Sequence, residues 1–296
     1  MYKLLTRYTL LVVGISFILY SCVPQKQVAT TKKNLASVNK QLGQYQDSMQ
    51  NLDLLRKNKQ AQNEIDDTAS ARFQRFIDST NAEIKVLISE NNVLIGDTKI
   101  SREDWDQLNK ALFRSQQASN KINQKVMMLT DLLNRNTVIK LDQDILFESG
   151  KYTVTSESAS AIGKFFEPAA KEIDLFVKKY PDFPLSLIIT AKGYADGTTI
   201  GEGSQLYKDL IARLKLKSGP VDAKELNREL SRARAEAVIT LFKNFTVNRS
   251  EGANVKNIAY IYEGKGDAFP NPKISDYKAD DPRRRVVLLY WSVFPD

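Results

Sequence analysis

Histidine is absent from the 296 residues, and cysteine occurs once, at Cys22. Those two counts remove most catalytic chemistry. A His/Cys zinc site, a haem–His site, an iron–sulfur cluster, a His-dependent triad and an intrachain disulfide all need residues the chain lacks. Carboxylates are plentiful, with 35 Asp+Glu, but no pair sits in a recognisable general-acid arrangement. No catalytic residue, cofactor or metal is expected, and the chain is not expected to be an enzyme. Several polar groups nevertheless stand at recognisable spacings. Asn227 and Arg234 lie seven positions apart, two turns along one face of a helix. Asp196 closes the tight turn Gly193-Tyr194-Ala195-Asp196-Gly197, and Arg283-Arg284-Arg285 is a basic run. Taken singly, an aspartate in a glycine turn is a turn former and a triple arginine is a surface cluster. The elements around them decide more.

The basic balance points to no nucleic-acid partner. Lys+Arg number 43 against 35 Asp+Glu, a net +8, but from Thr137 onward the counts are 24 and 22. The excess therefore lies in the first part, where bases alternate with acids, Gln and Asn at helical spacing. That is a solvated helix surface rather than a phosphate-binding stripe.

The first residues carry an export pattern. Lys3 and Arg7 precede an apolar run of about a dozen residues, the length of a signal-peptide core and too short to span a bilayer. The run ends at Leu19-Tyr20-Ser21-Cys22, with leucine at −3 and a small residue at −1. This is similar to a bacterial lipobox. The similarity implies that residues 1–21 are removed, that Cys22 carries lipid, and that the mature chain is held at a membrane by more than one acyl chain. Val23 follows the cysteine, where an aspartate would imply inner-membrane retention, so the outer membrane, periplasmic side, is the expected location.

Residues 22–136 read as helix. From 25 to 136 there is no proline, and glycine occurs only at Gly43 and Gly96. Leu35, Val38, Leu42, Tyr45, Met49 and Leu52 follow steps of three and four. A second stretch over 62–93 carries Phe73, Ile77 and Ile84, and Gly96-Asp97 has the form of a C-cap. Ser101 with Asp104 is a near capping box for a third helix, with a seam from Trp105 through Leu108 and Leu112 to Leu133. An interruption is expected near residues 56–59. The segments can fold back as a bundle or pair with a second chain as a coiled coil, and the spacing leaves both open, as it does a spacer role against an ordinary helical domain.

From residue 137 the period changes. The pattern predicts strands at 138–141, 185–190, 258–262 and 286–294. It predicts helices at 156–180, which Pro168 should bend, and at 225–245. The expected class is α+β: a helical bundle or coiled coil, then an α/β sandwich with helices on a mixed sheet.

This second part, 138–294, resembles the OmpA-like peptidoglycan-binding domain. The landmarks, in family order, are Ile145-Leu146-Phe147-Glu148-Ser149-Gly150, Gly193-Tyr194-Ala195-Asp196, and the Asn227-x-x-Leu230-Ser231-x-x-Arg234-Ala235 run. Gly264-Lys265-Gly266-Asp267 and Arg284-Arg285-Val286 follow. The resemblance implies non-covalent binding of peptidoglycan through the diaminopimelate of its stem peptide. That side chain ends in an ammonium and a carboxylate on one carbon. Asp196 aligns with the family's ligand-binding aspartate and Arg234 with its arginine, while Asn227 and Arg284 align with further contacts. A carboxylate suits the ammonium, and an arginine fork suits the carboxylate. Tyr194-Ala195 stands where the family usually has His-Thr. Asp196 and Asn227 are 31 apart against about eight in shorter members, so some two dozen residues are inserted. Leu206, Leu210 and Leu214 give the insert a short amphipathic helix, whose role as lid, partner surface or decoration stays open. The expected protein is a lipoprotein tethering the outer membrane to the cell wall. The alternative is a scaffold component of an envelope-spanning machine that uses this domain as its wall anchor, with partners or self-association through the helices.

Overall fold

The computed structural model describes residues 25–97, 101–148, 150–215, 221–246 and 255–295. The export segment and Cys22 lie outside the described residues. Three long helices come first, α1 (Gln25–Ala61), α2 (Asp67–Gly96) and α3 (Arg102–Asn134). Then follow β1 (Val138–Asp142), the single turn α4 (Gln143–Leu146), α5 (Ser156–Lys179) and β2 (Leu185–Gly193). The chain continues through α6 (Gln205–Leu214), α7 (Ala223–Thr246), β3 (Val255–Gly264), a 3₁₀ turn (Pro282–Arg284) and β4 (Val286–Pro295). The helical run followed by a strand–helix sandwich is the class expected from the periodicity change.

Contacts divide the chain into two units. One holds the described residues up to Leu52 with Phe76–Leu129, and the other holds Asp53–Arg75 with Thr130–Asp296. In the first unit, antiparallel helices of one chain pack on Leu35, Leu42, Met49, Ile84, Ile122 and Leu129, all buried. The direction is fixed by cross-links: Asn91 Nδ2 donates to Asn39 Oδ1 at 2.7 Å, and Ser115 Oγ to Asn91 Oδ1 at 2.7 Å. Lys125 Nζ meets Glu83 Oε2 at 2.5 Å. Of the two arrangements left open, the helices take the first and fold back. Buried Ser115 and Ser119 fill the two polar steps of the α3 seam. The capping box at the start of α3 forms as expected, with Asp104 N donating to Ser101 Oγ at 3.2 Å and Ser101 N to Asp104 Oδ2 at 2.8 Å. The expected interruption at 56–59 falls instead after Ala61, where Asn63 takes a positive φ of 55° and the chain reverses.

In the second unit the sheet order is β1-β4-β2-β3, with β2 parallel to β3 and antiparallel to β4. Strands β2 and β4 are central and nearly every residue of both is buried, so both faces are covered. Helix α7 packs on one face, close enough to touch it. A Cβ on Gly193 would stand 2.0 Å from Ser231 O, and one on Gly264 would stand 2.1 Å from Arg228 O. These two glycines are register partners across β2 and β3, and only glycine allows the helix so near. The other face carries Lys192, Tyr290 and Phe294, and residues 53–75 cover it. Phe73 packs on Phe294 at 4.8 Å between centroids, Tyr290 Oη donates to Asn63 O at 2.9 Å, and Lys192 Nζ reaches Asp67 Oδ2 at 3.0 Å. Pro168 lies inside α5, which stays one helix from 156 to 179.

Candidate functional site

At the carboxyl end of β2 the chain passes Gly193 into the turn that carries Asp196. Its backbone is tied down on both sides. Ala195 N donates to Gly266 O at 2.7 Å, Gly197 N to Ala279 O at 2.5 Å, and Lys265 N to Gly193 O at 2.8 Å. Gly266 holds a positive φ of 58°, and its N–H donates to the buried Ser231 Oγ at 2.9 Å, which locks this loop to α7. The end of a parallel strand is where open α/β sheets place ligands. Here it opens on a cleft of about 630 Å³.

Asp196, Asn227 and Arg234 all line that cleft, and each is at least nine-tenths buried. Asp196 Oδ1 accepts from Thr198 N at 3.1 Å and from the Thr198 hydroxyl, and Oδ2 lies 3.2 Å from Arg285 Nη1. Asn227 Nδ2 donates to Thr198 O at 3.2 Å, so the helix and the turn are joined through Thr198. Arg234 stacks over Phe147 at 5.5 Å, donates from Nε to Lys151 O at 3.1 Å and from Nη1 to Gln143 Oε1. Its Nη2 has no hydrogen-bond acceptor among the described residues. Burial pushes Arg234 down to about 10, against the pull of Asp144 and Asp196, and Arg285 pushes the same way as burial. It remains charged at neutral pH. Two guanidiniums, Arg234 and Arg285, thus share one cleft with the carboxylates of Asp144, Glu148 and Asp196. An anionic group between the two cations would relieve their repulsion, while a cationic group would find the carboxylates.

Arg284, expected at the ligand, is not brought to the cleft. It is buried under the loop before β4, donating to Lys278 O at 3.1 Å, to Ala279 O and to Asp267 O, and it stacks on Phe269. The 3₁₀ turn at Pro282–Arg284 turns neighbouring arginines in different directions. Arg285 is the one that lines the cleft, and it also meets Asp144 Oδ2 at 2.7 Å. The Asp144 hydrogen bond raises the Arg285 pKa, with burial opposing and Asp196 adding.

Gln143 is a site residue that no sequence motif singles out. It is buried, donates from Nε2 to Tyr194 O at 2.6 Å and Val286 O at 3.1 Å, and accepts from Arg234. One amide therefore joins β1's end, the Asp196 turn, β4 and the site arginine. The only sequence signal was a Gln between two aspartates just after a strand.

The described residues from Val138 onward form a mixed four-stranded sheet packed with helices, in the strand and helix order expected from the sequence. Among solved structures, the chain is similar to the OmpA-like domain of FopA1 from Francisella tularensis subsp. tularensis SCHU S4. The likeness has 20% identity and a TM-score of 0.26, and covers 53% of this chain and 72% of that one. No family model and no curated protein matches the chain.

Proposed function

We propose that the protein binds peptidoglycan through the diaminopimelate of the stem peptide, and that it is a lipoprotein holding the outer membrane to the cell wall. The supporting observation is one cleft with a buried carboxylate, Asp196, beside two guanidiniums, Arg234 and Arg285. The ligand's ammonium meets Asp196. Its carboxylate meets Nη2 of Arg234, with Arg285 alongside, and Asn227 keeps the Thr198 turn closed. Arg284 takes part by holding the loop that aims Arg285. Nothing in this scheme breaks a covalent bond or calls on a metal or cofactor. Cys22, at the end of the lipobox-like run, supplies the membrane end; no helix of the described residues is long and apolar enough to cross a bilayer.

Asp196→Ala and Arg234→Ala should each abolish co-sedimentation with diaminopimelate-type wall while thermal unfolding stays cooperative. Removing one partner of a buried charge pair costs about 2–5 kcal/mol, or roughly thirty-fold to several-thousand-fold in affinity. A wall with lysine in place of diaminopimelate lacks the side-chain carboxylate and should bind comparably weakly. Both variants sedimenting like wild type, or equal binding of the two walls, would overturn the assignment.

A further inference from the structure

The cleft is wider than a zwitterion requires. Part of its lining comes from the residues inserted after Asp196: Thr198, Thr199, Ile200, Gly201, Ser204 and Leu206. Two of these, Ile200 and Leu206, are apolar, and they add to the apolar surface of Phe147 and Leu230 in the same cleft. A surface of this kind does nothing for an ammonium or a carboxylate. It removes hydrocarbon from water.

The insert is also held in place. Leu210 of α6 is fully buried against Leu226 and Leu230 of the α7 region, with Ile200 and Leu206 packed on the same cluster. Ser204 Oγ caps α6 by accepting from Tyr207 N at 3.1 Å. Arg213 then clamps the helix to α7, with Nε to Glu229 Oε1 at 2.8 Å and Nη2 to Glu236 Oε2 at 2.6 Å. A wall fixed this way is preorganised, and little ordering cost falls on binding.

The geometry points to Ile200 and Leu206 as a specificity subsite for the short aliphatic part of a peptide whose zwitterionic side chain sits on Asp196 and Arg234. This rests on the peptidoglycan reading above and adds the ligand's second recognised feature. The group of matching chemistry is an alanine methyl next to diaminopimelate in a stem peptide. The cleft would then select diaminopimelate within a peptide over the free amino acid.

Calorimetry with the full chain in detergent tests this with two probes, free meso-diaminopimelate and a stem tetrapeptide ending in D-alanine. Wild type should bind the tetrapeptide about tenfold or more tighter, the low end for one methyl-sized contact in an apolar pocket. Ile200→Thr, which keeps the β-branched shape, should erase most of that preference and leave the affinity for free diaminopimelate unchanged; Leu206→Asn should do the same. Equal wild-type affinity for the two probes overturns the subsite. So does a variant that weakens both probes alike, since the insert then only scaffolds the polar end. Wild type binding neither probe overturns the peptidoglycan reading itself, a result distinct from the other two.

Discussion

Arg284 and Arg285 are adjacent in sequence and different in consequence. Arg284 satisfies loop carbonyls beneath Phe269, whereas Arg285 reaches Asp196 and Asp144 at the cleft. Arg284→Ala should lower unfolding stability by about 2–3 kcal/mol, because buried carbonyls lose a charged donor. Arg285→Ala should leave urea stability nearly unchanged and weaken wall binding about tenfold, as expected for a charge contact worth about 1.4 kcal/mol. Urea titration beside wall co-sedimentation separates the two, and a stability loss in Arg285→Ala equal to that in Arg284→Ala would contradict it. A second neighbouring pair differs in sign with pH. The Lys192 ammonium hydrogen-bonds Asp67 and holds its pKa below the usual carboxylate range, over the opposing effect of burial. Asp67 therefore stabilises the fold above its unfolded pKa, and that contribution is lost as pH falls through the folded value. Burial raises Asp66, although the N–H groups of Ala69 and Thr68 and the charge of Lys192 pull it down. Its contribution is present below the unfolded pKa and is lost as pH rises through the folded one. Asp67→Asn should flatten the acid-side loss of stability below about pH 4, and Asp66→Asn should remove the gain in stability that protonation of Asp66 supplies as pH falls toward about 4 from above. Urea midpoints between about pH 2 and 6 read both.

At the scale of elements, the least legible feature was the cover on the sheet. Strand β2 reads Leu185-Ser186-Leu187-Ile188-Ile189-Thr190-Ala191-Lys192, and three of its four even positions are polar, Ser186, Thr190 and Lys192, the mark of a half-solvated strand. All of them are buried, because Asp53–Arg75 folds onto that face and Asp67 pairs with Lys192. Alternation shows which residues share a face, but not that a segment more than a hundred positions upstream lies on it. The helices and strands themselves were legible within a few residues, since their apolar periods are strong. So was the placing of Asp196, Asn227 and Arg234 at one strand end. Gln143 and Arg285 were not, because their roles depend on which way a short turn points them. A fragment beginning at residue 137 should consequently unfold at lower urea and bind a hydrophobic dye, having lost the Phe73–Phe294 and Tyr290–Asn63 contacts. A chain in which 76–129 is replaced by a short glycine linker should keep the full midpoint and the wall binding. Equal stability of the 137–296 fragment and the full chain would show that the cover contributes nothing.

At the scale of the whole molecule, the proposed tether needs two independent attachments, and each should be separable from the other. Cys22 stands at the end of an apolar run of signal-peptide length, outside the described residues, and the proposed wall site is built from residues more than a hundred positions further along the chain. Cys22→Ala should therefore leave folding and wall co-sedimentation unchanged. In intact envelopes the variant should still fractionate with the wall, so simple fractionation will not reveal its defect. After the wall is digested, wild type should remain in the washed membrane pellet, because two or more acyl chains give stable anchoring where one gives only marginal binding. The Cys22→Ala chain should move to the soluble fraction. Adding Asp196→Ala should release it even without digestion, since both attachments are then gone. Recovery of Cys22→Ala in the membrane pellet after wall digestion would mean that something other than lipid on Cys22 holds the chain, and the tether as proposed would fail at its membrane end while the cleft chemistry stood.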